Sequence, residues 1–184
     1  SVELRGDGRL LTLNSYENRV YQAHLEDATV VVLKFYRPER WSADQIQEEH
    51  GFALQLQAAE VPMVAPLRLQ GHTLHRHAGF WFSVSPRRGG RRPELDDPDV
   101  LEWVGRFLAR LLTIGASQPF VTRPPLTADT MGHEAVHWLQ THDALPLDVE
   151  RRWHAAAHAA LSLASEQLAV CTPGHHTPIP TLRL

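Results

Sequence analysis

Apolar and polar residues alternate in the first part of the chain and cluster at helical spacing in the second. Leu10, Leu11 and Leu13, and then Val20, Tyr21, Ala23 and Leu25, flank the polar stretch Asn14-Ser15-Tyr16-Glu17-Asn18. That pattern predicts a hairpin with strands over 10–13 and 19–25. After a turn at Glu26-Asp27, the β-branched run from Thr29 to Tyr36 ends at Arg37-Pro38 and predicts a buried third strand. Ser42, with Gln45 three positions on, gives a capping-box start to a helix that runs to about Ala59 and is stopped by Val61-Pro62. Ile46, Glu49, Phe52, Ala53 and Leu56 fall on one stripe of that helix, while Glu48 falls on its wetter side.

Strand-like segments follow over 66–70, 73–76 and 79–85, with Gly71-His72 as the turn between the first two. Gly, Pro and Arg then dominate residues 86–98, which read as a linker. Beyond it Val100, Val104, Phe107, Leu108, Leu111 and Leu112 recur at three- and four-residue steps, and two further helices are predicted over 127–142 and 147–170. The expected fold class is α+β: an antiparallel sheet of about five strands with one helix over residues 1–86, a linker over 87–98, and helices over 99–184. Two such regions commonly meet at a crevice that holds a ligand.

Composition narrows the function classes. A net charge of -3 and a pI near 6.4 exclude a generally basic surface for nucleic acid. Arg87, Arg88, Arg91 and Arg92, interleaved with Gly89 and Gly90 and followed by Glu94, Asp96 and Asp97, read as a solvated loop. No apolar run approaches the roughly 20 residues of a membrane helix, and one cysteine, Cys171, fits a reducing cytoplasm. Of 18 basic residues only Lys34 is lysine. An ammonium is a compact point charge where a guanidinium is a wide fork, so Lys34 is expected where a fork does not fit.

Lys34 at the end of a buried strand and Glu49 on the apolar stripe of the next helix are each expensive to desolvate alone and tolerable as a pair. In a phosphoryl-transfer enzyme such a glutamate positions the ammonium on nucleotide phosphates. A plain strand-to-helix ion pair satisfies the same spacing. The loop Asn14 to Arg19 would cover the phosphates with backbone donors and the Ser15 hydroxyl. Its two Asn residues tolerate left-handed backbone. An ordinary hairpin turn fits that segment equally well.

Three blocks together resemble the bacterial stress response kinase A family, serine/threonine protein kinases with the aminoglycoside phosphotransferase and choline kinase type of fold. They are Leu13-Asn14-Ser15-Tyr16-Glu17-Asn18-Arg19-Val20-Tyr21-Gln22, Lys34-Phe35-Tyr36-Arg37-Pro38-Glu39-Arg40-Trp41, and Glu48-Glu49-His50 with Phe52-Ala53-Leu54-Gln55-Leu56. The match is dense from about Leu11 to Arg123 and thins through the later helices. The resemblance implies ATP contacts from Asn14, Ser15, Tyr16, Glu17, Asn18, Arg19 and Val20, phosphate binding by Lys34 with Glu49 as helix partner, and a hinge beside adenine at Val84, Ser85, Pro86 and Arg87. It also implies magnesium, cytoplasmic location and a monomeric parent protein. The family's catalytic loop, His-Gly-Asp-x-His-x-x-Asn, supplies the base and a metal ligand, and a later Asp completes the magnesium site. None of these is in this sequence, whose end at Pro180-Thr181-Leu182-Arg183-Leu184 resembles the strand leading into that loop. The 184 residues are therefore expected to bind nucleotide without catalysis. Leu112 stands where the family's helix usually carries His.

Three other readings compete. A small-molecule kinase acting on an amino alcohol or antibiotic shares the ATP half. His133-Glu134-Ala135-Val136-His137 fits the zinc-hydrolase pattern, but the extended motif needs Gly where Gln140 stands, and Asp143 becomes a third ligand only if the chain turns. His175-His176 beside Cys171 suggests metal, or a surface loop given Thr172-Pro173-Gly174 and Pro178. Apolar helix faces such as Val104, Phe107 and Leu111, if left uncovered, predict self-association.

Overall fold

A computed structural model describes residues 3–170. They fall into two compact units, one reaching to Thr122 and the other beginning at Arg123. The first is built on a five-stranded antiparallel sheet in the order β1-β2-β3-β5-β4. Its strands are β1 (Gly6–Leu13), β2 (Arg19–Leu25), β3 (Val30–Phe35), β4 (His75–His77) and β5 (Phe80–Pro86). The architecture is α+β, as the periodicity predicts.

The first strand starts four residues earlier than the leucine pattern indicates, and its register shifts between Gly6 and Leu10, an irregularity that hides the extension from an alternation test. Residues 66–70 are not a strand. Their pairing amounts to one bond from the Leu67 amide to the Val84 carbonyl and a reciprocal Leu69–His72 pair closing a tight turn over Gln70 and Gly71. Pro66 brings no N–H to such a ladder. Gln70 and Gly71 both have positive φ, which fits a two-residue turn.

Helix α1 (Ala43–Ala58) forms where its cap predicts: Ser42 accepts from the Gln45 amide and Gln45 accepts from the Ser42 amide. The side chains it buries are Ile46, His50, Phe52 and Leu56, the last with no exposed surface. One core layer joins Tyr36, Ile46 and Leu74, with Trp41 and Trp81 against them. Another joins Phe52, Leu56 and Val61 to Leu111, Ile114 and Phe120. On the sheet's other face Ala23, Leu25, Val31 and Val84 pack with Leu67 and Leu69.

Helix α2 (Pro98–Gly115) is capped by Asp97, whose side chain accepts from the Asp99 amide, with Pro at the first turn. It belongs to the first unit. Leu111 is thus core rather than an uncovered face, and Val104 and Phe107 are half-buried; Leu101, Trp103 and Leu108 are the large apolar side chains it exposes.

In the second unit the helix expected over 127–142 is interrupted. A π turn, Asp129–His133, precedes α3 (Glu134–Thr141), and α4 (Leu147–Val170) follows. The Thr130 hydroxyl donates to the Pro125 carbonyl at the start of that turn. A side chain at Gly132 would collide with Leu161 of α4, so the turn is closed against α4 by the missing Cβ.

Candidate functional site

Strand register decides which side chains share a face. Val20 and Ser83 lie opposite Lys34, and Ser85 lies opposite Val32, so Val20, Val32, Lys34, Ser83 and Ser85 point to one side of the sheet. Helix α1 crosses that side. Lys34 Nζ lies 3.6 Å from Glu49 Oε1, and 4.7 Å from the centroid of the Tyr36 ring, a cation–π distance.

The pair is less buried than the sequence suggests: the Lys34 and Glu49 side chains keep 35% and 42% of their exposure. The cause is rotational. The buried line of α1 passes through His50 rather than Glu49, leaving the carboxylate at the edge of the packed face. An ion pair this exposed contributes about 0–1 kcal/mol to stability. The fold does not depend on it, and the ammonium remains reachable by a ligand.

The loop between β1 and β2 is pinned at several points. The Ser15 hydroxyl accepts from the Asn18 amide, the Asn18 side-chain oxygen accepts from the Arg37 amide, and Arg40 donates to Glu17 at 2.7 Å. Asn14, Ser15 and Tyr16 are exposed, whereas Val20 is half-buried on the Lys34 face. Neither Asn14 nor Asn18 adopts left-handed backbone, because hydrogen bonds to Ser15 and Arg37 fold the loop without it. Arg19 lies opposite Phe35 and faces away from Lys34. With Glu17, Tyr21, Phe35, Tyr36, Arg37 and Phe80 it helps to line a cavity of about 560 Å³, whose lining includes the Tyr36 ring that the Lys34 ammonium contacts.

In the run expected beside adenine, Val84 is fully buried and its carbonyl accepts from Leu67, while the Arg87 amide donates to the Val30 carbonyl. Pro86 has no N–H. Ser85, half-buried, is the member of this run whose side chain faces the Lys34 side.

Two arrangements were not read from the sequence. Beneath the ion pair, the Tyr36 hydroxyl lies 2.7 Å from His50 Nε2 and 3.2 Å from Ser83 Oγ, and His50 Nδ1 lies 3.0 Å from Thr73 Oγ1. All four residues are buried. Burial pushes the His50 pKa from the usual 6.5 down to about 4, against the Glu49 carboxylate, which acts the other way. A neutral imidazole satisfies both contacts, one nitrogen donating and the other accepting. The available signal was spacing: His50 falls four residues after Ile46 and six before Leu56. Glu48, assigned to the wetter side, instead accepts hydrogen bonds from the Val121 and Thr122 amides and the Thr122 hydroxyl, while Gln45 donates to the Thr122 carbonyl.

His133 ends the π turn, and Glu134 and His137 stand on α3, but no group of three or more His, Cys, Asp or Glu able to hold a metal occurs among the described residues. The zinc reading therefore lacks a third ligand there. Cys171, His175, His176 and residues 180–184 lie outside the described residues. No described helix is long and apolar enough to cross a membrane.

The chain is similar to several known proteins. Stress response kinase A of Escherichia coli (strain K12) is 54% identical over 123 residues, 67% of this chain and 38% of that protein. The serine/threonine protein kinase RdoA of Salmonella typhimurium is 53% identical over 120 residues, 65% of this chain and 37% of that protein. The chain thus spans about two fifths of the length of the curated relatives it matches. In fold it is similar to the amicoumacin kinase hAmiN, solved in complex with AMP-PNP, Ca2+ and Ami. That likeness has a TM-score of 0.55 at 23% identity, covering 66% of this chain and 39% of the other. The model of the phosphotransferase enzyme family matches residues 10–173, and the chain belongs to that family.

Proposed function

We propose that this chain supplies the nucleotide-binding half of an ATP- and magnesium-dependent serine/threonine protein kinase of the cytoplasm, acting in a stress response. The observation that carries the reading is the placement of the chain's one lysine, on an open sheet face, within ion-pair distance of a helix glutamate. Residues 1–86 form the nucleotide lobe, 87–98 the linker, and 99 onward part of the helical lobe. Lys34 holds phosphate oxygens, Glu49 keeps the ammonium aimed, Val20 and Val32 offer an apolar roof for a purine, and the loop carrying Ser15 closes over the phosphates. Bound ATP supplies the phosphoryl group.

In this reading the magnesium ligands are the Asn of the His-Gly-Asp-x-His-x-x-Asn loop and the later Asp that the resemblance implies, rather than residues of this chain. The sequence also contains no His-Gly-Asp-x-His-x-x-Asn loop, so the 184 residues bind nucleotide without transferring phosphate. The name of one relative, the serine/threonine protein kinase RdoA, favours a protein acceptor over a small molecule. The test is titration of the chain with mant-ATP, a fluorescent ATP analogue. Lys34→Met should weaken binding at least tenfold, and equal binding by wild type and variant would overturn the reading. Phosphorylation of a protein by this chain alone, above background, would refute the division of labour.

A further inference from the structure

The Tyr36–His50–Thr73–Ser83 network joins four separate pieces of the first unit. Tyr36 follows β3, His50 is on α1, Ser83 is on β5 and Thr73 precedes β4. Each polar contact spans a long stretch of sequence, 47 residues for Tyr36 with Ser83 and 14 for Tyr36 with His50. Such links fix where α1 sits against the sheet more sharply than apolar packing, which tolerates small sliding. His50 is next to Glu49 on the helix. The face of the Tyr36 ring lies under the Lys34 ammonium.

We propose that Tyr36 and His50 are positioning residues for the nucleotide site: through their shared hydrogen bond they hold both members of the Lys34–Glu49 pair, the ammonium by the ring face and the carboxylate by the seating of α1. The inference rests on the reading of Lys34 as a phosphate ligand. Two independent constraints converge on one ammonium. The ring beneath it restricts where Nζ can travel, and the hydrogen bond at the far end of that ring prevents the ring from turning away. A slide or rotation of α1 that carried Glu49 off would have to break the His50 contacts to Tyr36 and Thr73, leaving buried polar groups without partners.

Because Lys34 is the only lysine, lysine labelled with carbon-13 at Cε gives a single nuclear magnetic resonance signal that reports this geometry directly. In the wild type the ring of Tyr36 should shift the Cε protons upfield of an exposed lysine. His50→Leu should move the signal toward the exposed position and weaken mant-ATP binding about tenfold, and His50→Gln, which restores a donor and an acceptor, should recover most of both. Tyr36→Phe keeps the ring and removes only the hydroxyl, so it tests the hydrogen bond should His50→Leu fail to fold; the same partial displacement of the signal is expected. An unmoved lysine signal in folded His50→Leu or Tyr36→Phe protein overturns the proposal, as does loss of nucleotide binding that merely tracks the melting temperature. Lys34→Met separates the two readings. If it binds mant-ATP as well as wild type, the phosphate assignment is lost, while the lysine signal of the His50 variants still decides whether the network sets the geometry.

Discussion

The Tyr36 hydroxyl and His50 Nε2 lie 2.7 Å apart inside a protein that leaves only 4% and 3% of those residues exposed. A histidine held this way must be neutral to remain buried, and its folded pKa of about 4 lies below the 6.5 of an unfolded histidine.

The sign of the pH dependence follows. As pH falls below about 6.5, the unfolded chain takes up a proton at this position and the folded chain does not, so stability declines until about pH 4, below which both states are protonated. The loss attributable to His50 is at most about 3 kcal/mol. Glu49 favours the protonated form, Lys34 and His75 oppose it, and burial exceeds all three. Burial also lowers the pKa of His75, which adds loss in the same direction. Urea midpoints measured from pH 7.5 to pH 4.5 should fall for the wild type and fall less steeply for His50→Gln.

The Lys34–Glu49 pair should matter little to folding. A double-mutant cycle with Lys34→Met and Glu49→Gln, read by urea unfolding at pH 7, should give a coupling below about 1 kcal/mol, as expected for a half-exposed pair. A coupling of several kcal/mol would mean the ion pair is a structural strut.

Glu48 is the carboxylate on α1 with the greater structural role. It accepts from two backbone amides and a hydroxyl in the segment after α2. Glu48→Ala should lower stability by about 1.5–3 kcal/mol, the range for hydrogen bonds to a charged group. Hydrogen exchange at the Val121 and Thr122 amides should accelerate before exchange in the sheet does.

Ser42→Ala removes the acceptor for the Gln45 amide and should cost about 1 kcal/mol. Ser42→Asp should retain most of the stability. Thermal melts of the two variants check both statements.

What was legible in the sequence was local. The Ser42 cap and the start of α1 follow from four neighbouring residues, and the two-residue spacing of β2 and β3 fixes their faces without knowledge of the rest of the molecule. The Ala78-Gly79 turn between β4 and β5, with both residues at positive φ, was not read, since Gly79 was assigned to the strand that follows it. Other misreadings involve partners far away in the chain. Glu48 looks solvated until Thr122 is brought to it across 74 residues, and nothing near His50 announces Ser83 and Thr73. The stripe on α1 was misjudged by one position because a buried histidine scores as polar in any periodicity count. At residues 66–70 the apolar alternation is real, but a proline and a tight turn limit the pairing to isolated bonds. The helix over 127–142 carries an unbroken pattern because a π turn changes the winding without changing which residues are apolar.

A chain with one ε-amine, standing partly open beside the proposed phosphate position, also presents a chemical handle. An acyl phosphate of ATP would transfer its acyl group to that amine and to no other side-chain amine in these residues, and excess unmodified nucleotide would shield it. Mass spectrometry of the labelled tryptic digest would then locate the triphosphate without a crystal, since cleavage after acylated Lys34 fails and a single joined peptide ending at Arg40, Pro38 blocking cleavage after Arg37, replaces two.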